Sequence, residues 1–230
     1  MIERVPIGIE KLDEMIGGIV KPSSLLIIGP PGSGKSIFMW QILYEGIKRN
    51  EGCISAITGE YIPFLKEKLK FFNWDIEKYK EKVRIIDCYS WRIGAKAVER
   101  KFSISGPADL NQVSVAISEA KAELSNSNIR VAIDSLSDFF LFNEPIIVYK
   151  FLEILIARIK AENAFLILVL DEGLHDKKVI NTVKYLVDSV ICLKQEDKGR
   201  YMRIEKMLLT KHTTAWIPFD IEENGIKILG

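Results

Sequence analysis

Leu25-Leu26-Ile27-Ile28-Gly29-Pro30-Pro31-Gly32-Ser33-Gly34-Lys35-Ser36-Ile37 is the stretch on which the reading of this chain turns. Four consecutive apolar residues fit a strand buried on both faces, and the run stops at a glycine-rich turn. From Gly29 to Ser36 the residues match G-x-x-x-x-G-K-[ST], between a strand that leads in and a helix, Ile37–Lys48, that leads out. Each residue type has a physical reason. Glycines let the backbone curl until successive amides from Gly29 through Ile37, Pro30 and Pro31 excepted, face inward toward phosphate oxygens. The helix N-terminus adds its positive dipole end. Lys35 reaches the β- and γ-phosphates, and the Ser36 hydroxyl is placed to ligate magnesium. The expected ligand is ATP or a close relative, with Mg2+.

Working outward, Arg130-Val-Ala-Ile-Asp134 is an apolar strand that ends in an acid. Proteins with a loop of this kind use such an acid to hold magnesium through water, so Asp134 joins Ser36 as a candidate metal ligand. Glu60, just past the apolar run Cys53–Thr58, is the candidate base for orienting an attacking water. It falls at the edge where open α/β sheets place their ligands.

The remaining pattern is strand–helix alternation. Leu25–Ile28, Cys53–Thr58, Val83–Asp87, Ile129–Ile133, Phe165–Leu170 and Val190–Leu193 read as strands, most of them apolar at consecutive positions as in a parallel sheet. Phe64–Phe72, Leu110–Leu124 behind an Asp109 cap, Ile146–Ala161 and Val179–Leu186 read as helices. At the C-terminus Tyr201–Leu209 and Gly225–Leu229 look like strands joined without helices, which suits an antiparallel edge. The expectation is a single α/β domain over 1–230, with a mostly parallel sheet flanked by helices. Ser90–Pro107 resists assignment: it reads as too polar for core and long for a connector, which points to a functional loop.

Bulk properties exclude more than they select. The 230 residues carry 32 Lys+Arg against 31 Asp+Glu, so no global field draws the chain to nucleic acid or an acidic membrane. No stretch has the apolar length of a membrane span, and the N-terminus lacks a signal-peptide pattern. Cys53, Cys88 and Cys192 each sit in or beside an apolar run and read as buried free thiols. The expected location is the cytoplasm. From Lys66 to Arg84, seven basic and four acidic residues read as a solvated face. His175 and His212 are isolated from each other, which gives no zinc pattern.

Taken in order along the chain, these motifs resemble the RecA superfamily, and more narrowly its KaiC-like and RadA-like archaeal ATPases. The resemblance is carried by Gly8-Ile-Glu-Lys-Leu12-Asp13-Glu-Met-Ile-Gly17-Gly18, Gly29–Ser36, Phe72-Asn-Trp74-Asp75, Asp87-Cys-Tyr-Ser-Trp91-Arg92, Ile133-Asp134-Ser135, Glu205-Lys206-Met207, His212, Pro218-Phe219 and Asn224-Gly225-Ile226. It implies a RecA-like P-loop NTPase core and assembly of the chain with copies of itself into a hexamer-like ring. ATP then lies between subunits, and Lys206 and His212 are offered to the neighbour's nucleotide.

Three departures bear on turnover. Gly59 stands where the family commonly has the first of two glutamates, the one usually credited as base, leaving Glu60 alone. Leu208 stands where the family has an arginine, and Lys206 replaces its fork only as a point charge. Asp171 and Glu172 follow the strand Phe165–Leu170, where a neutral polar residue is usual. An acid there sits poorly beside phosphate, so Glu172 is expected to face elsewhere. Binding is expected to survive these changes better than hydrolysis does.

Three readings stay open: a slow ATPase, an ATP-sensing regulatory module that acts on a protein partner, and a recombination accessory protein. The last would grip single-stranded DNA through Trp91, Arg92, Lys96, Arg100 and Lys101.

Overall fold

Residues 2–94, 102–125 and 128–229 are described by the computed structural model. The chain opens with β1 (Glu3–Val5), α1 (Glu10–Ile16), β2 (Ile19–Lys21) and β3 (Ser23–Gly29), then α2 (Lys35–Lys48), β4 (Gly52–Ile57) and α3 (Ile62–Phe71). Next come β5 (Val83–Asp87), α4 (Leu110–Ala122), β6 (Ile129–Asp134), α5 (Leu136–Phe142), α6 (Pro145–Ala161) and β7 (Phe165–Asp171). The chain finishes with α7 (Lys177–Leu186), β8 (Ser189–Glu196), β9 (Gly199–Lys206), β10 (Ile217–Glu222) and β11 (Gly225–Ile228).

Among the described residues the main sheet runs β11-β10-β9-β8-β3-β7-β6-β4-β5. Its pairings from β8 through β5 are parallel, and those from β8 to β11 are antiparallel. This is the mostly parallel sheet with antiparallel C-terminal strands that the sequence pattern predicts. The consecutive apolar residues of the core strands are explained by the two faces. Leu25 and Ile27 pack with α2 residues Phe38, Ile42 and Leu43, while Leu26 and Ile28 pack with Val148, Leu152 and Ile156 of α6. Alternate residues of one strand therefore serve two separate cores.

Local signals operate as expected where they are strong. The Asp109 Oδ1 accepts from the Gln112 amide at 2.9 Å and caps α4, and Pro63 falls in the first turn of α3. The basic stretch from Lys66 to Arg84 is a solvated surface laced by pairs such as Lys66–Glu77 at 2.7 Å and Arg84–Glu123 at 3.0 Å. Trp40 and Trp74 are both core residues. All three thiols are buried, and burial pushes Cys53 and Cys192 up to about 12.

Several elements carry no clear sequence signal: the antiparallel β1–β2 pair, the α1 helix between them, α5 and β10. The segment Ser90–Pro107 also needs correction, because it is not uniformly polar surface. Phe102 and Ile104 are buried in the α4–α6 core, and the Ile104 amide donates to the Asp87 carbonyl at 3.0 Å, beside a parallel bridge from Ser103 to Asp87. Two apolar side chains spaced one residue apart anchor that part of the segment to the sheet edge. Lys96, Arg100 and Lys101 lie outside the described residues.

One ion pair ties the fold together beneath the site. Arg130, on β6, is fully buried and meets Glu51 with two bonds, Nε to Oε2 at 2.7 Å and Nη2 to Oε1 at 3.0 Å. Its Nη1 donates to the carbonyls of Pro6 (3.0 Å) and Ile42 (2.8 Å), so the N-terminal segment and α2 are clamped to the sheet. Gly46 makes room: a Cβ there would lie 2.6 Å from the Arg130 Nε.

Candidate functional site

The loop after β3 turns at Gly32 and Gly34, whose φ angles of 80° and 97° favour glycine. Space reinforces this at Gly34, where a Cβ would approach the Ile221 Cδ1 to 3.0 Å. Gly34 is also the N-cap of α2, and no side chain caps that end. The first-turn amides of a helix lack intrahelical acceptors, so the loop presents open donors at its centre. The Ser33 hydroxyl is buried with no hydrogen-bond partner among the described residues.

Beside this loop is a cleft of about 800 Å3, lined by Gly32, Lys35, Ser36, Ile37, Asp134 and Asp171, and also by Gly59, Glu60, Lys68, Asp138, Arg200 and Ile221. The parallel register explains the convergence. Gly29 lies opposite Asp171, and Ile57 opposite Asp134, so the acids at the strand ends reach one edge together. Loop, Ser36, Asp134 and Glu60 thus meet in one cleft.

The charges in the cleft are mostly paired. Lys35 Nζ donates to the Pro30 carbonyl at 2.8 Å and lies 2.9 Å from Asp171 Oδ1. Glu60 accepts from Lys68 at both oxygens, 2.9 and 2.8 Å. Asp138 accepts from the Thr58 hydroxyl at 2.6 Å and from Arg92, which stacks against Tyr89 and Trp91. Asp134 differs: no cation lies within ion-pair distance of it among the described residues, and the Ser36 hydroxyl favours its charged form. Burial first, then the negative charges of Glu60 and Asp171, push Asp134 up to about 6, against the pull of Ser36 and Lys35.

Oxygen donors of this kind suit a hard divalent cation. No group of three or more His, Cys, Asp or Glu among the described residues could hold a metal by itself. One hydroxyl and one carboxylate, completed by phosphate oxygens and water, is the arrangement magnesium accepts.

Lys206 and His212 are elsewhere. Lys206 lies opposite Val190 at the start of β8, the sheet end away from Gly29. Its ammonium donates to the carbonyls of Lys184 (2.8 Å) and Val187, capping the end of α7, and burial lowers its pKa. His212 donates through Nδ1–H to the Thr210 carbonyl, 2.9 Å away. Arg4 fixes the same loop through the Leu209 carbonyl (2.5 Å) and the Thr210 hydroxyl (3.1 Å). Neither residue approaches the phosphate loop of its own chain. His175 rests against Phe140, and burial lowers its pKa.

The sequence pattern found the loop, Asp134 and Glu60 but not their partners. Glu172 is exposed, as expected, whereas Asp171 turns into the cleft. The roles of Lys68, Asp138 and Arg200 had no local signal.

A glycine-rich loop between a buried strand and a helix, with an acid from a strand end in the same cleft, defines the class of P-loop nucleotide-binding proteins. The KaiC ATPase family model matches residues 5–230, and the chain belongs to that family. The UPF0273 protein of Methanocaldococcus jannaschii is 30% identical over 98% of this chain and 96% of its own length. That of Methanopyrus kandleri is 27% identical over 99% and 92%. A KaiC-like protein of Pyrococcus horikoshii, known from a crystal structure, covers all of both chains with a TM-score of 0.78 at 24% identity, a likeness of fold. Membership implies nucleotide binding. No helix among the described residues is long and apolar enough to cross a membrane.

Proposed function

We propose that this chain binds ATP with magnesium as one nucleotide-binding domain over 1–230 and hydrolyses it slowly within a ring of its own copies. The observation that carries the reading is the convergence of Lys35, Ser36, Asp134 and Glu60 on one cleft at the strand ends. In this reading the loop amides and Lys35 hold the phosphates, Ser36 and Asp134 hold magnesium, and Glu60 orients water. Magnesium supplies charge neutralisation on the phosphate oxygens. His212, far from its own loop, is offered to a neighbour's nucleotide, and Lys206 joins it on leaving the Lys184 and Val187 carbonyls.

Slowness has a physical cause. Glu60 must leave Lys68 to take a proton, and Gly59 offers no second carboxylate. The Gly59 position is open: a Cβ there meets nothing within 4 Å. ATP turnover should disappear in Lys35→Ala and Glu60→Gln, and Gly59→Glu should raise it by at least about tenfold. Equal rates in wild type and Lys35→Ala sink the ATPase reading.

A second reading, a nucleotide sensor that acts on a protein partner with little hydrolysis, is favoured by the Lys68–Glu60 pair and by Leu208. It predicts tight ATP binding without turnover, and assembly size that differs between ATP, ADP and no nucleotide. Adding single-stranded DNA to the same assays tests the accessory reading. Of its cluster, Trp91 and Arg92 are among the described residues, and Arg92 is engaged by Asp138.

A further inference from the structure

We propose that Asp171 gates the phosphate loop: it holds Lys35 until magnesium-bound triphosphate displaces it, so the cleft discriminates against metal-free nucleotide. The inference rests on the reading of the cleft as an ATP site.

Lys35 is only 6% exposed, and its ammonium is committed to Asp171 Oδ1 at 2.9 Å and to the Pro30 carbonyl at 2.8 Å. Phosphate oxygens and the Asp171 carboxylate compete for this one charge, so Lys35 serves the phosphates fully only as it leaves Asp171.

The acid, in contrast, is built in. Asp171 is the last residue of β7, in register with Gly29, and its amide donates to the Ser137 hydroxyl at 2.9 Å. The Ser135 hydroxyl reaches its Oδ2 at 3.3 Å, and the next amide, of Glu172, donates to the Gly29 carbonyl at 2.8 Å. The strand end is pinned on both sides, so the flexible lysine is the part that moves. When it does, Asp171 is left facing the phosphates.

Charge then decides which form of the nucleotide enters. Glu60 keeps Lys68, and Asp138 keeps Arg92, whereas Asp134 and Asp171 share the neighbourhood of Lys35. A metal-free triphosphate presents its whole negative charge to those two acids, balanced by Lys35 of the loop and by Arg200, which also pairs with Asp220 at 3.6 Å. Magnesium removes part of that charge and satisfies Asp134. A neutral side chain at position 171 relaxes the requirement.

The test measures ATP affinity by calorimetry, with magnesium and with EDTA, for wild type, Asp171→Asn and Asp171→Ser, each checked by thermal melting. Both variants should bind metal-free ATP at least about tenfold tighter than wild type, with a smaller gain for the magnesium complex. Wild type itself should lose at least about a hundredfold in affinity on removal of magnesium. Variants that bind metal-free ATP no tighter, or that weaken for the magnesium complex, overturn the gate. If neither variant folds, the wild-type ratio decides: similar affinities with and without metal overturn it. Failure of wild type to bind magnesium–ATP at all sinks the parent reading instead.

Discussion

Two ion pairs in this molecule use the same chemistry to opposite ends. Arg130–Glu51 is dry, and its four bonds to protein acceptors fix the guanidinium between the N-terminal segment, α2 and β6. Lys35–Asp171 lies on an open cleft and holds its cation through one carboxylate and one carbonyl. The difference is solvent and exchangeability. A charge sealed in the core that loses its partner has nowhere to go, whereas a lysine that lines a cleft can be met by a ligand. The first pair is structural, and the second is poised for replacement.

The contrast breaks most directly at Glu51. Glu51→Ala strands the Arg130 charge and should cost about 3–5 kcal/mol of unfolding free energy in a denaturant titration. A loss under 1 kcal/mol means that the guanidinium is not locked. Gly46→Ala probes the same clamp from its other side, since the new methyl collides with Arg130. About 1–3 kcal/mol of destabilisation is expected, with no change in nucleotide affinity per folded molecule.

Asp134 sharpens the cleft side. Its folded pKa of about 6 lies above the ordinary carboxylate value of 3.8, so its ionisation opposes folding. The sign follows: its favourable share is complete below about pH 4 and is lost as pH rises through about 6. In metal-free protein, Asp134→Asn should therefore gain about 1–2 kcal/mol over wild type at pH 8 and nothing at pH 4, the figure discounted for contact with the cleft. The smallest effect is expected for Asp171→Asn, which should change unfolding free energy by less than about 1 kcal/mol because the new amide oxygen and the Pro30 carbonyl still accept from Lys35. A loss like that at Glu51 erases the distinction between the two pairs.

The sequence made the parallel core legible because strands buried on both faces must be apolar at every position, as Leu25–Ile28 and Phe165–Leu170 are. The loop was legible because phosphate chemistry demands glycines, lysine and a hydroxyl in a fixed spacing. The missed elements are those whose signals are short or shared. β1 and β2 span three residues each, and α5 is a seven-residue helix directly after β6. The alternating apolar residues of Ile217–Glu222 are cut by Pro218, which obscured β10. Pairing partners were out of reach for a different reason. Lys35 and Asp171, or Arg92 and Asp138, are joined by the register of strands distant in the chain, and no local pattern encodes who meets whom.

The central claim is that Lys35 anchors magnesium–ATP in the cleft between the loop and Asp134. A calorimetric titration of magnesium–ATP into wild type and Lys35→Ala tests it most directly. The account predicts saturable binding to wild type and a loss of at least about a hundredfold in the variant. Equal affinity in both proteins contradicts it.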